Sequence, residues 1–453
     1  MKRILLVNPG CIDKETYGAL EPFPVAYLGA YLIEHGGEVR ITDEMAGDDL
    51  RRDLDSFKPD VVGVTSTTQL IRRAYEILDD CRDRGILTVV GGPHASALPK
   101  EAGEHADIVV VGEGERAILD IARGDVSSGV VKNDRPEDID RLPFPARDLL
   151  RMDYYLSARK SFPNHLFAFA PPDARTASIL TSRGCPYRCI FCYNSWREMP
   201  VRFRNVDNIL KELTLLKSRY GVTALQFADD ELFFDKKRAR SLFSRMKEEE
   251  FGFAWSGCAR ANHVDAETLA LAKGSGCHKI SIGFESGSQR ILDILNKKTT
   301  VEQNRAAVRL CKEAGLKIGG YFMVGSPTET LEDIAMTREF IEESALDYVG
   351  LFLCTPLPGT ELYEKYADKS RVGPKFWEKL NFYDYELPVN DVLSRETIEE
   401  QYALLMTAVY GRRKVDLADV LSRHIRHPFY TAKKIVNAPH KLIRLVKDVL
   451  GWA

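Results

Sequence analysis

No stretch of this 453-residue chain approaches the ~18 consecutive apolar residues that a membrane-spanning helix requires. No secretory leader is expected either. The opening Met1-Lys2-Arg3-Ile4-Leu5-Leu6-Val7 stops at Asn8-Pro9-Gly10, a short run with no small-residue cleavage site. That run reads as a buried first strand, and the expected location is the cytoplasm. Neither sign of charge dominates: 63 Lys and Arg stand against 66 Asp and Glu, for a net charge of -3, so no global field points to nucleic acid. Internal repeats of short period are missing. Cysteine is sparse outside one place, because Cys11, Cys81, Cys258, Cys277, Cys311 and Cys354 are scattered. In a reducing compartment these are small buried hydrophobes, which excludes a disulfide framework.

What remains is a balanced globular composition, long enough for two domains and an appendage. Strands are expected at residues 3–7, 38–42, 61–65, 87–90 and 108–111, with helical stretches between them, such as 25–34 and 70–84. The strands are almost uniformly apolar, as parallel strands buried on both faces should be, so residues 1–135 read as a Rossmann-like, doubly wound α/β domain. Residues 136–175 carry Pro136, Pro143, Pro145, Pro163, Pro171 and Pro172 with little periodicity and read as a linker that packs. A second series follows, with strands expected at 178–181, 224–228, 253–258, 279–283, 317–324 and 348–354. Six strand-helix units over 176–375 fit a partial (β/α)6 barrel or a closed one. From 376 to 453 the pattern becomes helical and increasingly basic.

The remaining three cysteines are close together, in Arg183-Gly184-Cys185-Pro186-Tyr187-Arg188-Cys189-Ile190-Phe191-Cys192-Tyr193. Thiolates spaced C-x3-C-x2-C on one tight loop can ligate three irons of a [4Fe–4S] cubane and leave the fourth open. An open iron can chelate S-adenosylmethionine (SAM) and pass an electron into its sulfonium, releasing a 5′-deoxyadenosyl radical. A zinc site would want a fourth Cys or His nearby, and none follows before Cys258.

This loop resembles that of the radical SAM superfamily, and Thr181-Ser182-Arg183-Gly184-Cys185-Pro186 resembles its cobalamin-binding branch. The resemblance covers residues 1–375 and is most specific at the cysteines. It implies that Glu285, in Gly283-Phe284-Glu285-Ser286-Gly287, contacts the SAM methionyl group and that the Tyr193 backbone meets the adenine. Arg260 is a candidate partner of the SAM carboxylate, and one of Asp229, Asp230 and Glu231 is expected to face SAM or substrate. Gly325-Ser326-Pro327-Thr328-Glu329 is similar to a segment near the adenine.

In the N-terminal domain, Asn8, Thr65-Ser66-Thr67, Gly91-Gly92-Pro93-His94 and Gly112-Glu113-Gly114-Glu115 stand at strand ends, where open α/β sheets bind ligands. The resemblance makes Asn8, Thr65, Ser66, Thr67, Gly91, Gly92, Gly112 and Glu113 candidate cobalamin contacts. The Asp-x-His-x-x-Gly pattern that supplies a cobalt ligand is absent, and His94 is read as a hydrogen-bonding loop residue.

The activity implied is a cobalamin-dependent methyltransferase acting on an unactivated carbon or on phosphorus. A radical cyclase is the runner-up, and a non-catalytic sensor is the reading from another class. The expected partners are a small-molecule substrate, lipid or otherwise hydrophobic, and an electron donor such as flavodoxin or ferredoxin. Residues 411–453, with Arg412, Arg413, Lys433, Lys434, Lys441 and Trp452, make a basic amphipathic segment. It fits either a helix docked on the barrel or one lying on an anionic membrane surface.

Overall fold

The computed structural model describes residues 1–11, 18–132, 135–162, 166–193, 200–372 and 376–411. The first sheet contains β1 (Ile4–Asn8), β2 (Val39–Asp43), β3 (Val61–Thr65), β4 (Leu87–Gly91), β5 (Ile108–Val111) and β6 (Gly129–Lys132). All pairings are parallel, in the order β2-β1-β3-β4-β5-β6. The strand order reverses between β1 and β3, which opens a crevice at the ends carrying Asn8 and Thr65. The central strands β1 and β3 are buried on both faces. Ile4 and Leu6 join one core, while Leu5 and Val7 join another against the helix Ile71–Asp83.

Strand β6 was not among the expected strands. Its Gly-Val-Val-Lys is mostly exposed and lies at the sheet edge, so only pairing with β5 identifies it. The linker beyond it packs closely, with Arg147 and Tyr155 buried.

The second sheet comprises β7 (Thr176–Ile179), β10 (Ala224–Phe227), β11 (Ala254–Ala259), β12 (Cys277–Glu285), β13 (Lys317–Val324) and β14 (Tyr348–Leu353). These six run parallel in sequence order, and β7 and β14 do not pair with each other, so the barrel is open. Between β7 and β10, β8 (Ser182–Arg183) pairs antiparallel with β9 (Arg202–Phe203).

The C-terminal extension departs from its expected helix. Residues 380–394 are irregular, because Asn381 Oδ1 accepts from the Tyr383 and Asp384 amides and Asn390 Oδ1 accepts from those of Val392 and Leu393. Such side-chain turns compete with helical bonds. A helix follows at Arg395–Gly411. The basic segment beyond 411 lies outside the described residues. Among the described residues no helix is long and apolar enough to cross a membrane.

Candidate active site

The β8–β9 pairing ties the neck of the cysteine loop immediately beyond β7, and Gly184 makes the exit turn at φ 99°. Buried Asp229 braces that neck, accepting from the Thr181 amide at 3.1 Å and its hydroxyl at 2.7 Å. Burial raises its carboxyl above the usual range. Asp229 is thus occupied in structure, while Asp230 remains exposed beside Cys185 and Cys192, whose thiols its charge helps to raise. Cys192 stands at the rim with surface open to water. Even so, the surrounding protein, helped by Cys189 and Asp230, pushes its thiol up to about 12.

The tip of the loop is held from β11. The Arg260 guanidinium lies flat over Tyr187, 3.5 Å from the ring centroid, and its Nη1 is 3.8 Å from Cys189 Sγ. The Tyr187 hydroxyl is 2.6 Å from His263 Nε2, and Nδ1 of that ring is 3.5 Å from Glu231.

Among the described residues, no three His, Cys, Asp or Glu side chains converge on one metal ion. A lone zinc would need every sulfur about 2.3 Å from one point. A cubane takes each thiolate on a separate iron, so three neighbouring but spread cysteines fit it.

Glu285 ends β12 at φ 65°, a left-handed conformation that costs a non-glycine residue about 1–3 kcal/mol. It follows a register shift in the ladder and folds back over Gly283, where any side chain would collide with it. Lys297 Nζ donates to Glu285 Oε1 at 2.7 Å, and the Lys297 carbonyl accepts from Arg260. Lys297 was missed in the sequence. It follows a short helix like any surface lysine, and only the fold brings it inward. Burial lifts the carboxyl of Glu329, after β13, to about 8, although it accepts from the Gly325 and Ser326 amides.

In the first domain, Asn8, Thr65, Ser66, Gly91, Gly92 and Gly112 stand together at the ends of β1, β3, β4 and β5, with Thr67 just beyond. Gly92, at φ 96°, abuts the Ser66 backbone so closely that a Cβ would lie 2.8 Å from its carbonyl oxygen. This bare, hydroxyl-edged ledge fits a bulky cofactor. Asn8 also donates to Asp43 at 2.8 Å.

One candidate contact has a different partner. Glu113 turns to Arg202 and Arg183, and Glu115 meets Arg183 at 2.7 Å, so this loop binds the neck of the cysteine loop. His94 is fully buried, with its nitrogens 3.2 Å from Thr68 Oγ1 and from Glu101, which leaves neither open to a metal. The Tyr193 ring packs beside Gly359 and near Ala97, between the two sheets.

Residues 179–341 match the radical SAM superfamily and residues 11–122 match the B12 binding domain. An uncharacterized methyltransferase of Pyrococcus horikoshii is 30% identical over 93% of this chain and 95% of its own. The anaerobic magnesium-protoporphyrin IX monomethyl ester cyclase of Rubrivivax gelatinosus is 28% identical, covering 84% of this chain and 72% of that one. The radical SAM methyltransferase TsrM of Kitasatospora setae, solved with cobalamin and a [4Fe–4S] cluster, superposes with TM-score 0.67 at 17% identity. That match covers 89% of this chain and 91% of TsrM.

Proposed function

The chain belongs to the radical SAM superfamily, in the branch with a B12-binding domain ahead of the barrel, and from that premise we propose a cobalamin-dependent methyltransferase acting on an unactivated carbon or phosphorus of a small molecule. The observation that carries this reading is a loop bearing Cys185, Cys189 and Cys192 beyond the first strand of an open parallel barrel, its neck ion-paired through Arg183 to Glu113 and Glu115 of the first domain. When bound, the cluster and SAM supply a 5′-deoxyadenosyl radical and cobalamin supplies a transferable methyl group.

The chain's residues bind and orient. Cys185, Cys189 and Cys192 hold the cluster, and Arg260 steadies their loop through Tyr187. Glu285 takes the SAM ammonium, and Lys297 with Arg260 offers positive charge to its carboxylate. The Tyr193 backbone meets the adenine. Asn8 and the hydroxyls of Thr65, Ser66 and Thr67 bond cobalamin, while Gly91, Gly92 and Gly112 let it approach the backbone. Glu113 serves as a clamp on the cysteine loop. A flavodoxin or ferredoxin is the electron source.

The test is anaerobic purification with iron, sulfide and cobalamin analysis, followed by incubation with methyl-labelled SAM and candidate acceptors. Iron and cobalamin in the protein with label in a product is the expected result. Zinc in place of iron would end the proposal. The likeness to a cyclase favours one second reading, and a product without label would select it. For the basic segment beyond 411, peripheral contact with an anionic membrane predicts that liposomes pellet the full chain but not one lacking residues 424–453.

A further inference from the structure

The two faces of the second sheet differ. Along β12, Ile280, Ile282 and Phe284 are buried against the surrounding helices, so Lys279, Ser281, Gly283 and Glu285 alternate onto the concave side. On β13 and β14 the concave residues Tyr321, Met323, Tyr348 and Phe352 are only half-buried, whereas Phe322, Val324, Leu351 and Leu353 behind them are buried. The concave side is therefore an open trough below the cysteine mouth. Its floor is aromatic. Gly350 has no side chain where one would strike the Tyr321 ring, so that ring lies across β14 with Phe352 6.0 Å away.

Lys279 stands at the base of this trough and is 7% exposed. Its ammonium is 5.2 Å from the Tyr348 ring and 6.0 Å from that of Phe169. Among the described residues, no carboxylate, hydroxyl or carbonyl pairs with it. Ring faces attract a cation only weakly and leave its three N–H donors without an oxygen acceptor.

We infer that Lys279 anchors a carboxylate of the substrate, which is a small molecule with a flat apolar body lying along Tyr321 and Phe352. One ammonium, with no second cation forked beside it, suits a singly charged carboxylate better than a phosphate dianion. Tyr348 and Cys258, which flank the ammonium, stand level with Ser281 in the ladder, four residues below Glu285. At ~3.3 Å per residue the molecule spans roughly 13 Å from anchor to mouth. The assignment rests on the proposed function in taking the open barrel as the substrate chamber.

The test titrates anaerobically reconstituted full-length enzyme with pyrenebutyrate and with its uncharged amide, followed by fluorescence. Wild type should prefer the acid by about tenfold or more, the effect of one charge-assisted contact. Lys279→Arg should keep the preference. Lys279→Met should abolish it and raise the melting temperature, because an unpaired buried charge is gone. Wild type treating acid and amide alike, including binding neither, overturns the assignment. So does Lys279→Met retaining the preference or melting lower. Whether the same wild-type preparation transfers labelled methyl is scored separately, so either idea can fail without the other.

Discussion

At the scale of single residues, chemistry that is fixed by sequence neighbours was visible early, and chemistry made by distant contacts was not. Cys185, Cys189 and Cys192 are neighbours in the chain, and their spacing alone carries the proposed metal chemistry. Lys297 and Lys279 look like any other lysines until the sheet folds. Glu329 likewise sits in an ordinary loop, yet burial moves its carboxyl from 4.5 to about 8. A raised folded-state value means that the fold favours the protonated acid. Its contribution to stability is complete below about pH 4.5 and is lost as pH rises through 8. Glu329→Gln keeps an oxygen for the Gly325 and Ser326 amides and removes the titration. Calorimetry between pH 5 and 8 should show a flatter melting profile for the variant, and parallel profiles would contradict this account.

At the scale of elements, strands and helices followed hydrophobic period closely. Residues 61–65, 108–111 and 317–324 form the expected strands, and most other strand ends moved by one or two residues. The exceptions share a cause. β6 is exposed and defined by its partner, and residues 380–394 spend their turns bonding Asn381 and Asn390. The Glu113–Glu115 loop belongs to this scale as well. Its carboxylates meet Arg183 and Arg202 at the β8–β9 neck, with all four side chains nearly buried. Replacing both with glutamine removes the charges but keeps the shape. Hydrogen exchange at residues 183–193 should then quicken by about tenfold or more, given 1.5–3 kcal/mol for each charge-assisted bond. Unchanged exchange there would show that the clamp does not order the cysteine loop.

At the scale of the whole molecule, the chain returns to close what it began. Trp377, Leu380 and Leu387, from beyond the barrel, complete the apolar core behind β1 and β3. Trp377 Nε1 also donates to Glu101 at 3.0 Å, beside buried His94. Arg147 of the linker joins Glu212 of the barrel at 2.6 Å and lies 3.6 Å from Glu21 of the first domain. The halves are therefore tied by buried charge and by a shared core. Trp377→Ala empties a large buried volume and should cost about 3–5 kcal/mol in urea unfolding. The loss should appear in probes of the first domain, and a variant as stable as wild type would refute the closure.

The sequence by itself determined the alternation of strands and helices, the six-strand count of the second sheet and the cysteine loop with the iron chemistry proposed for it. Each of these is written in contacts or periods shorter than about fifteen residues. Tertiary structure alone decided that the barrel stays open, that Glu113 grips arginines, that Glu285 meets Lys297 and that Lys279 stands unpaired at the base of a trough. Those depend on which distant segments share a low-dielectric space, where one missing or added partner outweighs any local preference.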